Sequence, residues 1–178
     1  MCQFELVFER FDILFFVDDE FAYAYILSQG LIPQLSKYLG VEYDPNLQME
    51  TAWVFTNLAC GGPEFVSTIV SNDVVALLVR LVQCARNFTV QEQALWALGN
   101  LSVDSSRVRQ LMLECGIIPT LLSIVGAVGT STTVGSAVTH SLRRPGLLVS
   151  AVTSVEPSLA TVKHMAWICC NLAWYVHF

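Results

Sequence analysis

Apolar residues fill nearly every position from Val74 to Cys84, the pattern of a helix packed between neighbours on most of its faces. Pro63–Ser71 reads as a short helix ahead of it. Phe88–Val103 reads as a longer one behind it, ending before Asp104-Ser105-Ser106. Ser105 or Ser106 caps a further helix that reaches to about Cys115, and Gly116 breaks the chain at the next junction. Sustained two-residue alternation, the mark of a half-buried strand, is absent. The pattern therefore predicts helices in groups of three. None of them can bury its apolar faces alone, so stability must come from stacking on neighbouring groups.

The groups repeat. Trp53-Val54-Phe55-Thr56-Asn57 recurs 43 residues on as Trp96-Ala97-Leu98-Gly99-Asn100. The same offset relates Gly30-Leu31-Ile32-Pro33 to Asp73-Val74-Val75-Ala76, and that stretch to Gly116-Ile117-Ile118-Pro119. Single apolar positions keep the register: Leu35, Leu78 and Leu121; Leu39, Val82 and Val125. A helical period of roughly 40–47 residues is the armadillo/HEAT range. A third copy, Trp167-Ile168-Cys169-Cys170-Asn171, arrives 28 residues late. The excess falls between Gly126 and about Pro157, rich in Gly, Ser, Thr and Val and without helical period. It reads as a loop inserted at about 126–157, or as a translated segment foreign to the mature message. The chain then divides into units at about 1–16 (partial), 17–61, 62–104 and 105–174.

Composition narrows the function. The 178 residues are 54% hydrophobic and 13% charged, with a net charge of −6. A nucleic-acid partner calls for clustered Lys and Arg and is excluded; a basic partner fits. The apolar run from Ile117 to Val128 is interrupted by Pro119 and Gly126 and falls short of the roughly 20 residues of a membrane span, so no membrane partner is expected. The start lacks the basic region of a signal peptide. The six cysteines form no Cys-x-x-Cys pair and no ligand spacing with histidine, and read as reduced core residues of an intracellular protein. No cofactor is implied. Nor is an enzyme: His140, His164 and His177 have no nucleophile or carboxylate at motif spacing, and His164 reads as a satisfied helix-surface residue.

The recurring Trp and Asn carry the chemistry. Four residues apart, they share one helix face, and stacked units turn them into a ladder. An Asn amide both donates and accepts, so it can pair with the peptide bonds of an extended chain without reading its side chains. A lysine stem fits between successive indoles, and its ammonium gains a cation–π attraction of about 0.5–2 kcal/mol. A lone Trp at helical spacing is more often core than site, and Asn is a poor helix-interior residue. Finding the awkward pair three times in register favours a peptide groove.

Residues 46–125 resemble the importin-alpha (karyopherin-alpha) armadillo domain. The stretches that carry the resemblance are Leu47 through Ala59 and Glu92-Gln93-Ala94-Leu95-Trp96-Ala97-Leu98-Gly99-Asn100-Leu101, similar to that family's second and third repeats. Met165-Ala166-Trp167 through Asn171-Leu172 is similar to the fourth, and Glu9-Arg10-Phe11-Asp12-Ile13-Leu14 resembles the end of the first. The resemblance implies an all-α, right-handed armadillo superhelix that receives the basic nuclear localisation signals of cargo proteins and works in cytoplasm and nucleus. Trp53, Trp96 and Trp167 would wall the pockets, and Asn57, Asn100 and Asn171 would hold the cargo backbone. Asp104 matches the aspartate that pairs with the key cargo lysine, Gly61 a glycine whose carbonyl caps that lysine, and Gln93 a further cargo contact.

Two positions depart from the family pattern. Val66 stands where the lysine pocket has a threonine, and Trp174 where a basic residue is expected. The importin-beta-binding segment and the later repeats have no counterpart, so a fragment able to bind cargo but not to complete transport is expected. Asp104 continues the ladder face and has no obvious resident cation, since Arg107 and Arg109 follow on the next helix. The competing readings are a catenin-like adhesion or signalling scaffold, whose relatives hold acidic partners in basic grooves, and a product disabled by insertion and truncation.

Overall fold

The computed structural model describes residues 25–103, 105–129 and 157–175, and among these it contains helices and no strand. In chain order they are α1 (Ile32–Ser36) continued by a 3-10 turn (Lys37–Leu39), α2 (Pro45–Leu58), α3 (Pro63–Ser71), α4 (Val74–Cys84), α5 (Phe88–Ser102), α6 (Ser106–Glu114), α7 (Ile117–Gly129) and α8 (Leu159–Tyr175). The bounds of α3 and α4 are those the hydrophobic pattern predicts, and α5 stops one residue earlier. The partial unit at 1–16, Asp104, most of the 126–157 segment and the Trp174 side chain lie outside the described residues.

Local chemistry explains where the helices start. Asp44 precedes Pro45 and accepts a bond from the Asn46 amide at 2.9 Å. Asn87 does the same for the Thr89 amide at 2.8 Å, which gives this residue a capping role. Ser105, one of the two predicted caps, accepts from the Val108 amide at 3.2 Å. Each satisfies a donor that the first helical turn leaves free.

The turn before the second helix of each unit is left-handed in all three copies. Gly30 has φ 60°, Gly116 has φ 80°, and between them Asp73 has φ 57°. The 43-residue register thus demands one backbone conformation, and the middle copy meets it with aspartate, which tolerates that region better than most side chains.

The third helices stack in sequence, α2 on α5 and α5 on α8, while α4 packs against α5, α6 and α7. One continuous core runs through the stack, from Ile26 and Phe55 through Leu78 and Leu98 to Ile168 and Leu172. Polar ties cross between units: the Gln83 amide donates to the Cys115 carbonyl and to the Thr120 hydroxyl, both at 3.1 Å. This is a helical solenoid of stacked three-helix units. Among the described residues no single helix is long and apolar enough to cross a membrane.

Two sequence expectations need correction. Helix α7 does not stop at Gly126 but runs through it to Gly129. Gly126 costs a helix only about 1 kcal/mol relative to alanine, too little to end one anchored by buried Ile117 and Leu121. The five cysteines among the described residues are not core residues either. Cys60, Cys84, Cys169 and Cys170 are exposed and Cys115 is half-buried, all as free thiols. Small apolar neighbours in sequence do not bury a side chain when those neighbours occupy the opposite helix face.

Candidate functional site

Helix α2 divides its residues sharply. Ala52, Val54 and Phe55 are buried, whereas Trp53 between them is 37% exposed. Helix α5 repeats this: Leu95, Ala97 and Leu98 are buried around Trp96, which is 41% exposed. On α8, Trp167 is 36% exposed beside buried Ile168. Three indoles at equivalent positions of three stacked helices therefore keep part of their surface open. They are not core residues, and Asn57, Asn100 and Asn171 stand half-buried one turn further along.

The asparagines join the rungs. Asn100 Nδ2 donates to the Thr56 carbonyl at 2.9 Å and reaches Cys60 Sγ at 3.8 Å. Asn171 Nδ2 donates to the Gly99 carbonyl at 3.3 Å and to Ser102 Oγ at 2.9 Å. Thr56 and Gly99 are equivalent in the repeat, so one bond recurs at each step. It fixes the amino group of each Asn and leaves its carbonyl oxygen facing away from that bond. Gln93 is similarly engaged, since Nε2 donates to Thr56 Oγ1 at 2.9 Å and that hydroxyl donates to the Ala52 carbonyl at 3.0 Å. Thr56 and Ser102 thus act in this site, and sequence reading passed over both. The available signal was their position beside the ladder asparagines.

The step from α5 to α8 is closer than a side chain at position 99 allows. A Cβ built on Gly99 would lie 2.9 Å from Trp167 Cε3 and 3.1 Å from Cζ3. Gly99→Ala therefore displaces the Trp167 ring, and overpacking of this kind costs about 1–3 kcal/mol, offset by about 1 kcal/mol of helix propensity. We expect little change in overall stability but a clear change in Trp167 emission and in protection of α8, read by fluorescence and amide exchange. Unaltered signals would mean that the ring is not seated on Gly99.

His164, one turn before Trp167, is not the satisfied surface residue that the sequence suggests. Its imidazole stacks on the Trp96 indole with centroids 5.5 Å apart and planes 13° from parallel. Its Nδ1 is enclosed and has no partner among the described residues. Burial lowers its pKa from the ordinary histidine value, against a smaller opposing pull from Glu92. Glu92 itself accepts hydrogen bonds from the Ser158 and Thr161 hydroxyls at the start of α8.

At the far end of the α5 rung, Arg109 does not point away. Its Nη1 donates to the carbonyls of Ser102 at 2.7 Å and Val103 at 2.9 Å, where the helix end favours a cation. A resident guanidinium thus sits at the backbone just before position 104. Arg107 is taken up by a loose, exposed pair with Glu114 at 3.9 Å, worth little. On the α2 side, the Gly61 amide donates to the Leu58 carbonyl at 3.1 Å, ahead of Gly62, whose φ of 98° turns the chain into α3. Val66 packs half-buried against the core, with methyl groups where the family it resembles has a threonine hydroxyl.

Comparisons with known proteins agree with this architecture. Residues 62–103 match the armadillo/beta-catenin-like repeat family. The chain is 38% identical over 98 residues to importin subunit alpha-2 of Arabidopsis thaliana, a match spanning 55% of this chain and 18% of that protein. It is 29% identical over 133 residues to the probable importin subunit alpha-A of Dictyostelium discoideum, spanning 74% of this chain and 24% of that one. The chain thus spans about a fifth of the length of these relatives. Among solved structures, a designed armadillo repeat protein in complex with the peptide (KR)4 superposes with a TM-score of 0.67 at 18% identity, covering 95% of this chain and 57% of that one.

Proposed function

For an all-α armadillo-repeat chain of importin-alpha-like sequence, a non-enzymatic scaffold, we propose that the Trp–Asn ladder binds the extended, lysine-rich nuclear localisation signal of a cargo protein. One observation carries this reading. Three indoles that could have been buried stand open in register on stacked helices, each followed one turn later by an asparagine. An exposed tryptophan row has a cost in water unless something covers it, and an extended cationic peptide matches it chemically. Lysine stems lie between indoles and ammonium groups meet the ring faces.

The asparagines supply the backbone contacts. With Asn100 Nδ2 committed to the Thr56 carbonyl, its Oδ1 is left to accept a peptide N–H. The same holds for Asn171, and Asn57 takes the role on α2. Gln93 gives its amino group to Thr56, so only its carbonyl end serves a peptide. The Gly61 carbonyl and the Asp104 carboxylate cap the lysine ammonium. The net charge of −6 draws a basic segment to the groove. In this reading the protein works in cytoplasm and nucleus, and a complete receptor of the family would engage importin-beta through a basic segment outside the stretch matched here. A designed protein of the same architecture was solved with a strictly basic peptide, so a stack of this kind accommodates one.

The decisive experiment is a titration of the chain with a fluorescent lysine-rich signal peptide and with an acidic peptide of equal length. Selective, salt-sensitive binding of the first is expected. Equal binding of both, or preference for the acidic one, would return the chain to the general class of armadillo scaffolds. Asp104→Lys sharpens the test. A charge-assisted hydrogen bond is worth about 1.5–3 kcal/mol, so losing it and adding repulsion should weaken the basic peptide at least tenfold, with helical circular dichroism retained. Because Arg109 binds the carbonyls of Ser102 and Val103, next to position 104 in sequence, Arg109→Gln in parallel separates the two effects. Unchanged affinity in Asp104→Lys would reduce Asp104 to a partner of the local helix end.

A further inference from the structure

The three indoles create two gaps, one between Trp53 and Trp96 and one between Trp96 and Trp167. Helix α5 lies between α2 and α8, so the two faces of the Trp96 ring look toward different helices. His164 stands on α8, and its ring lies nearly parallel to Trp96 at stacking distance. It therefore covers the Trp96 face turned toward α8. The repeat shows what this position does elsewhere. Three residues before each ladder tryptophan stand Glu50, Gln93 and His164. Gln93 reaches back to the preceding rung and bonds the Thr56 hydroxyl. His164 also reaches back to the preceding rung, but places a flat ring on the indole itself.

We propose that His164 is the specificity-determining residue of this groove: it fills the gap between Trp96 and Trp167 from within, so that only the gap between Trp53 and Trp96 receives a cationic side chain. The inference rests on the peptide-groove reading given above. A peptide with several basic residues then gains from one slot where its sequence offers two. Burial lowers the imidazole pKa from the ordinary histidine value, against a smaller opposing pull from Glu92, which favours the neutral ring. Glu92 of α5 is the charged group that acts on His164, and it is held by the Ser158 and Thr161 hydroxyls. On α8 Lys163 is exposed. From α6, Arg109 is directed to the carbonyls of Ser102 and Val103 and Arg107 to Glu114.

The test compares His164→Ala, which empties the gap, with His164→Phe, which refills it with a ring. The probes are the peptide (KR)4 and a Gly/Ser octapeptide carrying a single lysine. Opening a second indole face should raise (KR)4 affinity in His164→Ala by roughly 2- to 30-fold, the range of one cation–π contact. No gain is expected for His164→Phe, nor for the single-lysine peptide with either variant. A merely structural histidine would predict the reverse, a loss on truncation. Equal affinity of His164→Ala and the wild type for (KR)4 overturns the inference, as does an equal gain in His164→Phe. Trp53→Ala separates this from failure of the groove itself. If Trp53→Ala binds (KR)4 as well as the wild type, or if neither wild type nor His164→Ala binds it, the peptide-groove reading falls and this inference with it.

Discussion

Trp53→Ala is expected to lower the affinity for a lysine-rich peptide at least tenfold while the helical circular dichroism stays unchanged. In the proposed groove Trp53 walls the gap toward Trp96, and 37% of its surface is exposed. Its loss removes the cation–π contact, about 0.5–2 kcal/mol, together with the apolar cover of the lysine stem, about 0.8 kcal/mol for each methylene buried. A factor of ten is about 1.4 kcal/mol, so the two terms together exceed it. The indole is partly solvated and lies outside the core, so folding stability should fall far less than for a buried aromatic residue. Isothermal titration beside urea unfolding separates the quantities. Retained affinity would show that the open indoles serve another partner.

Much of the scaffold was legible because each signal is local. Pro63 at a helix start, Ser105 ahead of the next helix, and Gly or Asp at one fixed point of every unit are decided within a few residues of sequence. The 43-residue register then places equivalent helices on each other without any knowledge of distances. The partial exposure of Trp53 and Trp96 follows from the same register, and Trp167 shares it. A tryptophan that recurs with an asparagine one turn later shares that asparagine's helix face and not the face of its apolar neighbours in sequence.

What escaped the sequence is everything decided by the neighbouring rung. His164 reads as a surface residue on its own helix, but its partner Trp96 belongs to another helix, joined through a stretch of chain with no period. The bonds from Asn100 to Thr56 and from Asn171 to Gly99 span 44 and 72 residues. They show why asparagine is tolerated inside these helices: its poor propensity is offset by a hydrogen bond that stitches unit to unit. Gly99 is a similar case. In sequence it resembles a weak point of α5, whereas in the stack it is the only residue size that seats Trp167. Cysteine burial was misjudged because composition around a residue does not say which face it occupies.

Two residues along the same helix the opposite outcome is expected. Phe55 has no exposed surface and is among the largest fully buried side chains. It sits on α2, which stacks directly on α5. Phe55→Ala removes a ring and leaves a cavity that the surrounding helices fill only in part, a change that costs about 3–5 kcal/mol. Against a typical total of about 5–15 kcal/mol for a domain, that is a large share. In a stack where each unit is held by its neighbours, the loss should be felt in both units that meet there. We expect a strongly lowered urea midpoint and early amide exchange in α2 and α5 together. Peptide affinity measured at low temperature, where the variant remains folded, should stay within a few-fold of the wild type, because Phe55 faces away from the open indoles. Trp53→Ala and Phe55→Ala therefore form a pair: the first should abolish tight binding and spare the fold, the second should weaken the fold and spare binding. If Phe55→Ala costs less than about 1 kcal/mol, α2 does not stack on α5 through its apolar face, and the register of the ladder must be redrawn.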